Sequence, residues 1–182
     1  MRSLLRTNSR GLWILPSIFL AVFFVLGGPR PALGQDDAHA YSFLLGSWEG
    51  ELEYLDYGDD STRVRLSTSL QGLPSSDGRA IVLRFSYEEP DGRIVTSSER
   101  LEETADGVEL GDLWQVEERS LNETIGVYRL VLRRSGEDNG RPASIVNTVL
   151  LDGAELTITT MITYLGSTDS LQRHQYRFRR VD

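Results

Sequence analysis

The stretch that decides the fold is Ser144-Ile145-Val146-Asn147-Thr148-Val149-Leu150-Leu151-Asp152-Gly153-Ala154-Glu155-Leu156-Thr157-Ile158-Thr159-Thr160-Met161-Ile162-Thr163-Tyr164. Two runs with strand character flank Asp152-Gly153, a dipeptide suited to the positive-φ turns that close hairpins. The pattern predicts a β-hairpin, Ser144–Leu151 with Glu155–Tyr164.

The same grammar repeats in both directions. Upstream, Trp48–Asp56 sets Trp48, Gly50, Leu52 and Tyr54 on one face and Glu49, Glu51 and Glu53 on the other. Arg63–Leu70 alternates in the same way, and Ala80–Tyr87 groups Ile81, Leu83, Phe85 and Tyr87. Ile94–Leu101 is a more polar strand. Val108–Glu117 reads as one strand with Val108, Leu110, Asp112, Trp114 and Val116 together and a bulge at Gly111. Thr124–Arg133 follows, then a polar loop over Gly136–Arg141. Downstream, a loop at Gly166–Ser170 precedes a last strand, Leu171–Val181. Turns fall at Gly58-Asp59-Asp60, Pro74–Gly78, Pro90-Asp91-Gly92 and Asp106-Gly107; in the third, Pro fixes φ and Gly accepts φ > 0. About nine strands at even spacing predict an all-β fold, an antiparallel up-and-down meander of about 8–10 strands closed into a barrel. Closure removes the unpaired edges that an open sheet leaves, and this strand number suits a barrel that encloses one small ligand. An open sandwich is the alternative.

Ahead of this pattern lies a different chemistry. Arg2, Arg6 and Arg10 precede an apolar run, Leu12–Leu26, interrupted by Pro16 and Ser17. Gly27-Gly28-Pro29 ends it, and Ala32-Leu33-Gly34 places small residues before Gln35. That order is the order of a secretory signal peptide over residues 1–34. The run of about 15 apolar residues is short against the roughly 20 of a bilayer span, although an uncleaved anchor stays open. Residues 35–40 then read as a mobile polar leader and 41–182 as one β domain. The expected location is exported, periplasmic or extracellular, with no stable membrane span after cleavage.

Four of the 19 basic residues and none of the 27 acids fall in the export segment, which leaves 15 basic residues against 27 acids, a net charge of −12. There is no lysine and no cysteine. An acidic surface repels nucleic acid and anionic lipid, so neither is an expected partner. No disulfide staples the domain, which rests on packing and its hydrogen-bond ladder.

At Phe43-Leu44-Leu45-Gly46-Ser47-Trp48-Glu49-Gly50-Glu51 the chain resembles the opening of calycin-like barrels: lipocalins, bacterial lipocalin-like domains and, more distantly, nitrobindin-like haem barrels. Lipocalins begin their first strand with Gly-x-Trp after a short helical turn. The resemblance implies that Gly46 lets the chain swing into the barrel, that Trp48 plugs its closed end, and that an arginine of the final strand stacks over the tryptophan. Arg177, Arg179 and Arg180 stand at a suitable place for it. Arginine on indole is a favourable cation–π arrangement.

Candidate ligand-binding residues are those expected to point inward: Tyr54, Phe85, Asp112, Trp114, Tyr128, His174 and Tyr176, with Phe178 beside them. Filling a core is the competing role for the aromatics. His174 is the one histidine beyond the leader, and the resemblance implies a second possibility for it, an axial bond to haem iron. Asp112 as an inward carboxylate needs a partner; a strand end or bulge is the plainer reading. Asp56, Asp59 and Asp60 offer oxygen ligands for Ca²⁺ but lack an EF-hand spacing. Asn122-Glu123-Thr124 has the pattern of a glycosylation sequon. The chain shows no Ser/His/Asp grouping and no phosphate loop, which favours binding over catalysis. The expected partner is a small apolar or amphipathic molecule, with a filled structural barrel of the cell envelope as the alternative.

Overall fold

The computed structural model describes residues 37–122 and 125–181. The export segment 1–34 and the Glu123-Thr124 part of the sequon lie outside the described residues. A 3-10 helix, Asp37–Leu44, begins within the segment expected as leader and runs into ten strands. These are β1 Gly46–Leu55, β2 Arg63–Pro74, β3 Ala80–Glu88, β4 Ile94–Thr104, β5 Gly107–Leu110, β6 Asp112–Asn122, β7 Val127–Asp138, β8 Arg141–Asp152, β9 Glu155–Tyr164 and β10 Ser170–Arg180. Each strand pairs antiparallel with its neighbour in sequence, and β10 returns to β1. The result is the closed up-and-down barrel that the alternation predicts. No described helix is long and apolar enough to cross a membrane.

Two elements differ from the sequence reading, and both differences have local causes. The single strand expected over Val108–Glu117 is two, because Gly111 takes φ +69° and reverses the chain rather than bulging it. An L side chain adopts that backbone at a cost. The hairpin register places Val108 opposite Trp114 and Leu110 opposite Asp112, so the five residues expected on one face still share it. The loop expected over Gly136–Arg141 shrinks to the turn Asn139-Gly140, both at positive φ, and β7 and β8 extend to meet it.

One end of the barrel is closed by apolar packing. Trp48 is 1% exposed and lies among Tyr41, Leu44, Leu70 and Phe178. Its indole Nε1 donates to Leu44 O at 3.2 Å. The Arg180 guanidinium sits 4.3 Å above the indole ring and donates to Phe43 O. The 3-10 helix reaches this position because Gly72 has no side chain: a Cβ there would stand 1.9 Å from Leu44 O. Burying an indole of ~200 Å² at ~25 cal/mol per Å² is worth about 5 kcal/mol, an upper figure.

The other end is closed by charge on one side and open on the other. A register shift in β10 between Gln172 and His174 turns Arg173 inward. Arg173 is 1% exposed. It donates to Asp138, to Asp60 at 2.7 Å and to the Tyr164 hydroxyl at 2.9 Å, and lies 4.5 Å over the Tyr57 ring. Asn139 donates to Tyr57 O. These contacts tie the β1–β2 loop to the β7–β8 turn across the barrel end.

On the open side the wall is short. β5 has four residues, and its pairing with β4 stops at Leu101 opposite Leu110. The β6–β7 pairing stops at Gln115 opposite Arg133. Beyond those points Ile94–Arg100 pairs only with β3, and Arg134–Asp138 only with β8. A notch therefore separates the far halves of β4 and β7, with the Gly111 turn at its base.

Candidate ligand-binding interior

The notch opens onto a set of inward-facing polar groups held in an aromatic wall. In antiparallel sheet, residues directly opposite point to the same face. The cross-strand row Tyr54, His174, Thr160, Asn147, Leu132 follows from the register of β1, β10, β9, β8 and β7. Since Leu132 belongs to the core, the row faces inward. Thr160 Oγ1 donates to Asn147 Oδ1 and lies 2.7 Å from His174 Nε2. With its one proton committed, Thr160 accepts from His174, which assigns the imidazole as the Nε2–H tautomer. Burial, with the Arg173 charge adding to it, lowers the His174 pKa to about 4. The ring is thus a neutral donor near pH 7.

A second polar string lies beside the first. The Tyr87 and Tyr176 hydroxyls are 3.1 Å apart, and Tyr87 reaches Ser97 Oγ at 3.4 Å. The His174 ring meets Tyr176 edge-on, with centroids 5.6 Å apart. Phe85 and Phe178 pack on Tyr176 at 5.2 and 5.6 Å. Burial above all raises both Tyr87 and Tyr176, and the charge of Glu99 adds to each. Glu99 stands opposite Leu83, a core residue, and so shares the inner face. It is nonetheless exposed, because the notch lets water reach it. Its surroundings raise its carboxyl pKa by desolvation.

Trp114 and Asp112 stand at the base of the notch. Trp114 repeats the arrangement of Trp48: its Nε1 donates to Leu110 O at 3.1 Å, and Arg134 lies 4.9 Å above the ring. Arg134 pairs with Asp112 at 3.3 Å, and its buried Nε has no hydrogen-bond partner.

The expected candidates divide into three places. Phe85, His174 and Tyr176 come together in the interior, and Tyr54 stands opposite His174 on the same face. Trp114 and Asp112 line the notch; Asp112 takes the plainer of its two readings, a strand end, since it opens β6 at the turn with its side chain 64% exposed. Tyr128 belongs to the closed end, where its ring lies 3.8 Å from that of Phe43. Of the three arginines considered for Trp48, Arg180 takes the place. Arg177 and Arg179 correct that expectation: they face outward to Glu51 at 3.1 Å and Glu155 at 3.2 Å. The parity of β10 decides this, since Phe178 and Arg180 share the inner face. Among the aspartates considered for Ca²⁺, Asp59 caps its own turn through Ser61 and Thr62 and Asp60 serves Arg173. No group of three or more such ligands with metal-binding geometry occurs among the described residues.

Ser97, Glu99, Asn147, Thr160 and Arg134 were not foreseen, and Tyr87, grouped with Phe85 on one face, was not among the candidates. Strand parity is the signal that finds them: each has the parity of an apolar inward neighbour. Two grooves on the outer wall, one over β1–β3 and one over β7–β9, are lined largely by serine, threonine and glycine and open to solvent; the graded chemistry lies inside.

No protein-family model matches the chain, and no curated protein does. Among solved structures, the chain is similar to the crystal structure of Rv2717c from M. tuberculosis, with a TM-score of 0.54 and 15% identity over 79% of this chain and 96% of that one. At that identity the likeness is one of fold, a β-barrel of the same general kind.

Proposed function

We propose that this protein is an exported, lipocalin-like binding protein that takes a small amphipathic molecule into the barrel through the notch. The observation that carries the reading is the inward string Asn147–Thr160–His174 set beside Tyr87–Tyr176 in a wall of Phe85 and Phe178. A purely structural barrel has no use for so many hydrogen-bonding groups at its centre, since each costs desolvation when buried. Sites of this kind combine an apolar lining with a few convergent polar groups. The signal-type N-terminus supports export, and amino-terminal sequencing of secreted protein starting at Gln35 is the expected check.

The alternative, haem bound through His174, fits the residues less well. Its neutral form is the ligating one, but Nε2 is engaged by Thr160, and the ring is packed against Tyr176.

The test is displacement of the neutral dye N-phenyl-1-naphthylamine, read by fluorescence, with native mass spectrometry of the purified protein. Bound dye that short-chain amphiphiles displace, with binding lost in Tyr176→Ala, is the expected result. A protein that binds neither dye nor amphiphile contradicts the carrier reading. A Soret band on adding haemin, absent in His174→Ala, moves the assignment to haem.

A further inference from the structure

The carrier reading leaves the ligand's charge open, and Glu99 bears on it. Glu99 faces inward opposite Leu83, at the lip of the notch, two residues beyond the last β4–β5 contact at Leu101. It has neither an ion pair nor a hydrogen bond among the described residues. The nearest cations in sequence are spoken for. Arg100 faces outward to Asp77 and Glu102. Arg84 lies opposite Ser98, on the outer face. Across the notch, Arg134 is paired with Asp112 and stacked on Trp114. Toward the closed end, Arg119 is paired with Glu103. Within the lip the charges are therefore two carboxylates, Glu99 and Asp112, against one guanidinium, which leaves one negative charge in excess.

The groups around Glu99 are rich in acceptors and in π faces. Ser97 Oγ and the linked hydroxyls of Tyr87 and Tyr176 stand on the same inner surface. The rings of Phe85, Tyr87 and Tyr176 lie 5.2–6.5 Å apart. A carboxylate among hydroxyls and aromatic faces is the chemistry that receives an ammonium: it supplies charge, acceptors for three N–H donors, and cation–π attraction. An anionic head would meet an unpaired carboxylate of its own sign in a partly desolvated site.

From this geometry we infer that the ligand is an amphipathic amine, whose ammonium sits between Glu99 and the Tyr87–Tyr176 hydroxyl pair and whose hydrocarbon portion lies along the aromatic wall. The inference rests on the carrier reading and sharpens it. The apolar side chains Val95 and Val116, which share the inner face yet touch solvent, give the hydrocarbon a path through the notch. The acid excess of the domain adds long-range attraction for a cation.

Three ligands of equal chain length separate the possibilities: decylamine, decanol and decanoate, each titrated into the full chain by calorimetry below its micelle concentration. Decylamine is expected to bind at least about tenfold more tightly than decanol, and decanoate more weakly than both. Glu99→Gln removes the amine's advantage over decanol, and Glu99→Asp retains part of it. Equal or tighter binding of decanoate overturns the inference, and so does a Glu99→Gln variant that keeps the full amine-to-alcohol ratio. Either of those outcomes leaves the carrier reading standing. Failure of all three ligands to bind overturns both. Circular dichroism of the two variants confirms that they keep the barrel, which the exposed lip position of Glu99 permits.

Discussion

The barrel contains the same device twice, and the two copies differ in what surrounds them. At the closed end Trp48 donates to a carbonyl four residues back and carries Arg180 on its face; at the notch Trp114 does the same with Arg134. Arg180 spends its remaining capacity on a backbone carbonyl in a sealed apolar layer, whereas Arg134 faces a solvated carboxylate and keeps a buried Nε unpaired. One pair closes a core. The other holds open ground where the wall is shortest. The difference teaches that a cation–π pair is set by local strand geometry, while its consequence is set by how much protein lies behind it.

The sharpest way to break this comparison is to remove the two indoles. Trp48→Ala is expected to cost about 3–5 kcal/mol, because the sealed layer around it cannot collapse or admit water. Trp114→Ala should cost about 2 kcal/mol, since the space it leaves opens to the notch. Urea denaturation of both variants checks this, and equal losses would erase the distinction between the two ends.

A pH titration tests the interior. His174 is held neutral with a pKa of about 4, against an ordinary value of 6.5. Between those values the unfolded chain binds a proton that the native state refuses, so stability is full above pH 6.5 and falls as the pH drops toward 4. The loss across that window is about 3 kcal/mol for a shift of this size. His174→Gln should flatten the slope there; an unchanged slope would place the titrating group elsewhere.

Smaller effects refine the picture. Arg180→Ala is expected to lose about 1–2 kcal/mol through the stacking and the bond to Phe43 O, and Arg134→Ala about half as much, again by urea denaturation. Arg179→Ala, which breaks an outward pair with Glu155, should change stability by less than about 0.5 kcal/mol. A larger loss at Arg179 than at Arg180 would contradict the placement of the final-strand arginines.

Period-2 alternation made the barrel legible, because each strand has one buried face and a single residue shift would invert it. The turn at Gly111 was not legible as a turn: glycine inside a strand pattern serves a bulge as readily as a reversal, and only pairing with β4 and β7 decides. The site was readable in part. Phe85, His174 and Tyr176 declare themselves as large inward residues. Glu99 and Thr160 share the parity of apolar inward neighbours, yet an acid or a threonine at such a position looks like solvated surface until the strands across from it are known. Arg173 escapes parity altogether, since the β10 irregularity turns it inward out of sequence.

The notch also divides the barrel by how its backbone exchanges protons. In a fully laddered wall every amide is bonded to one side or the other, and exchange waits for unfolding. Along Ile94–Arg100 and Arg134–Asp138, alternate amides face a gap where no strand stands. Those amides are expected to exchange within seconds while their immediate neighbours, bonded to β3 and β8, remain protected. Deuterium uptake along these two segments would thus carry a two-residue rhythm, a record of the missing pairing written one residue at a time.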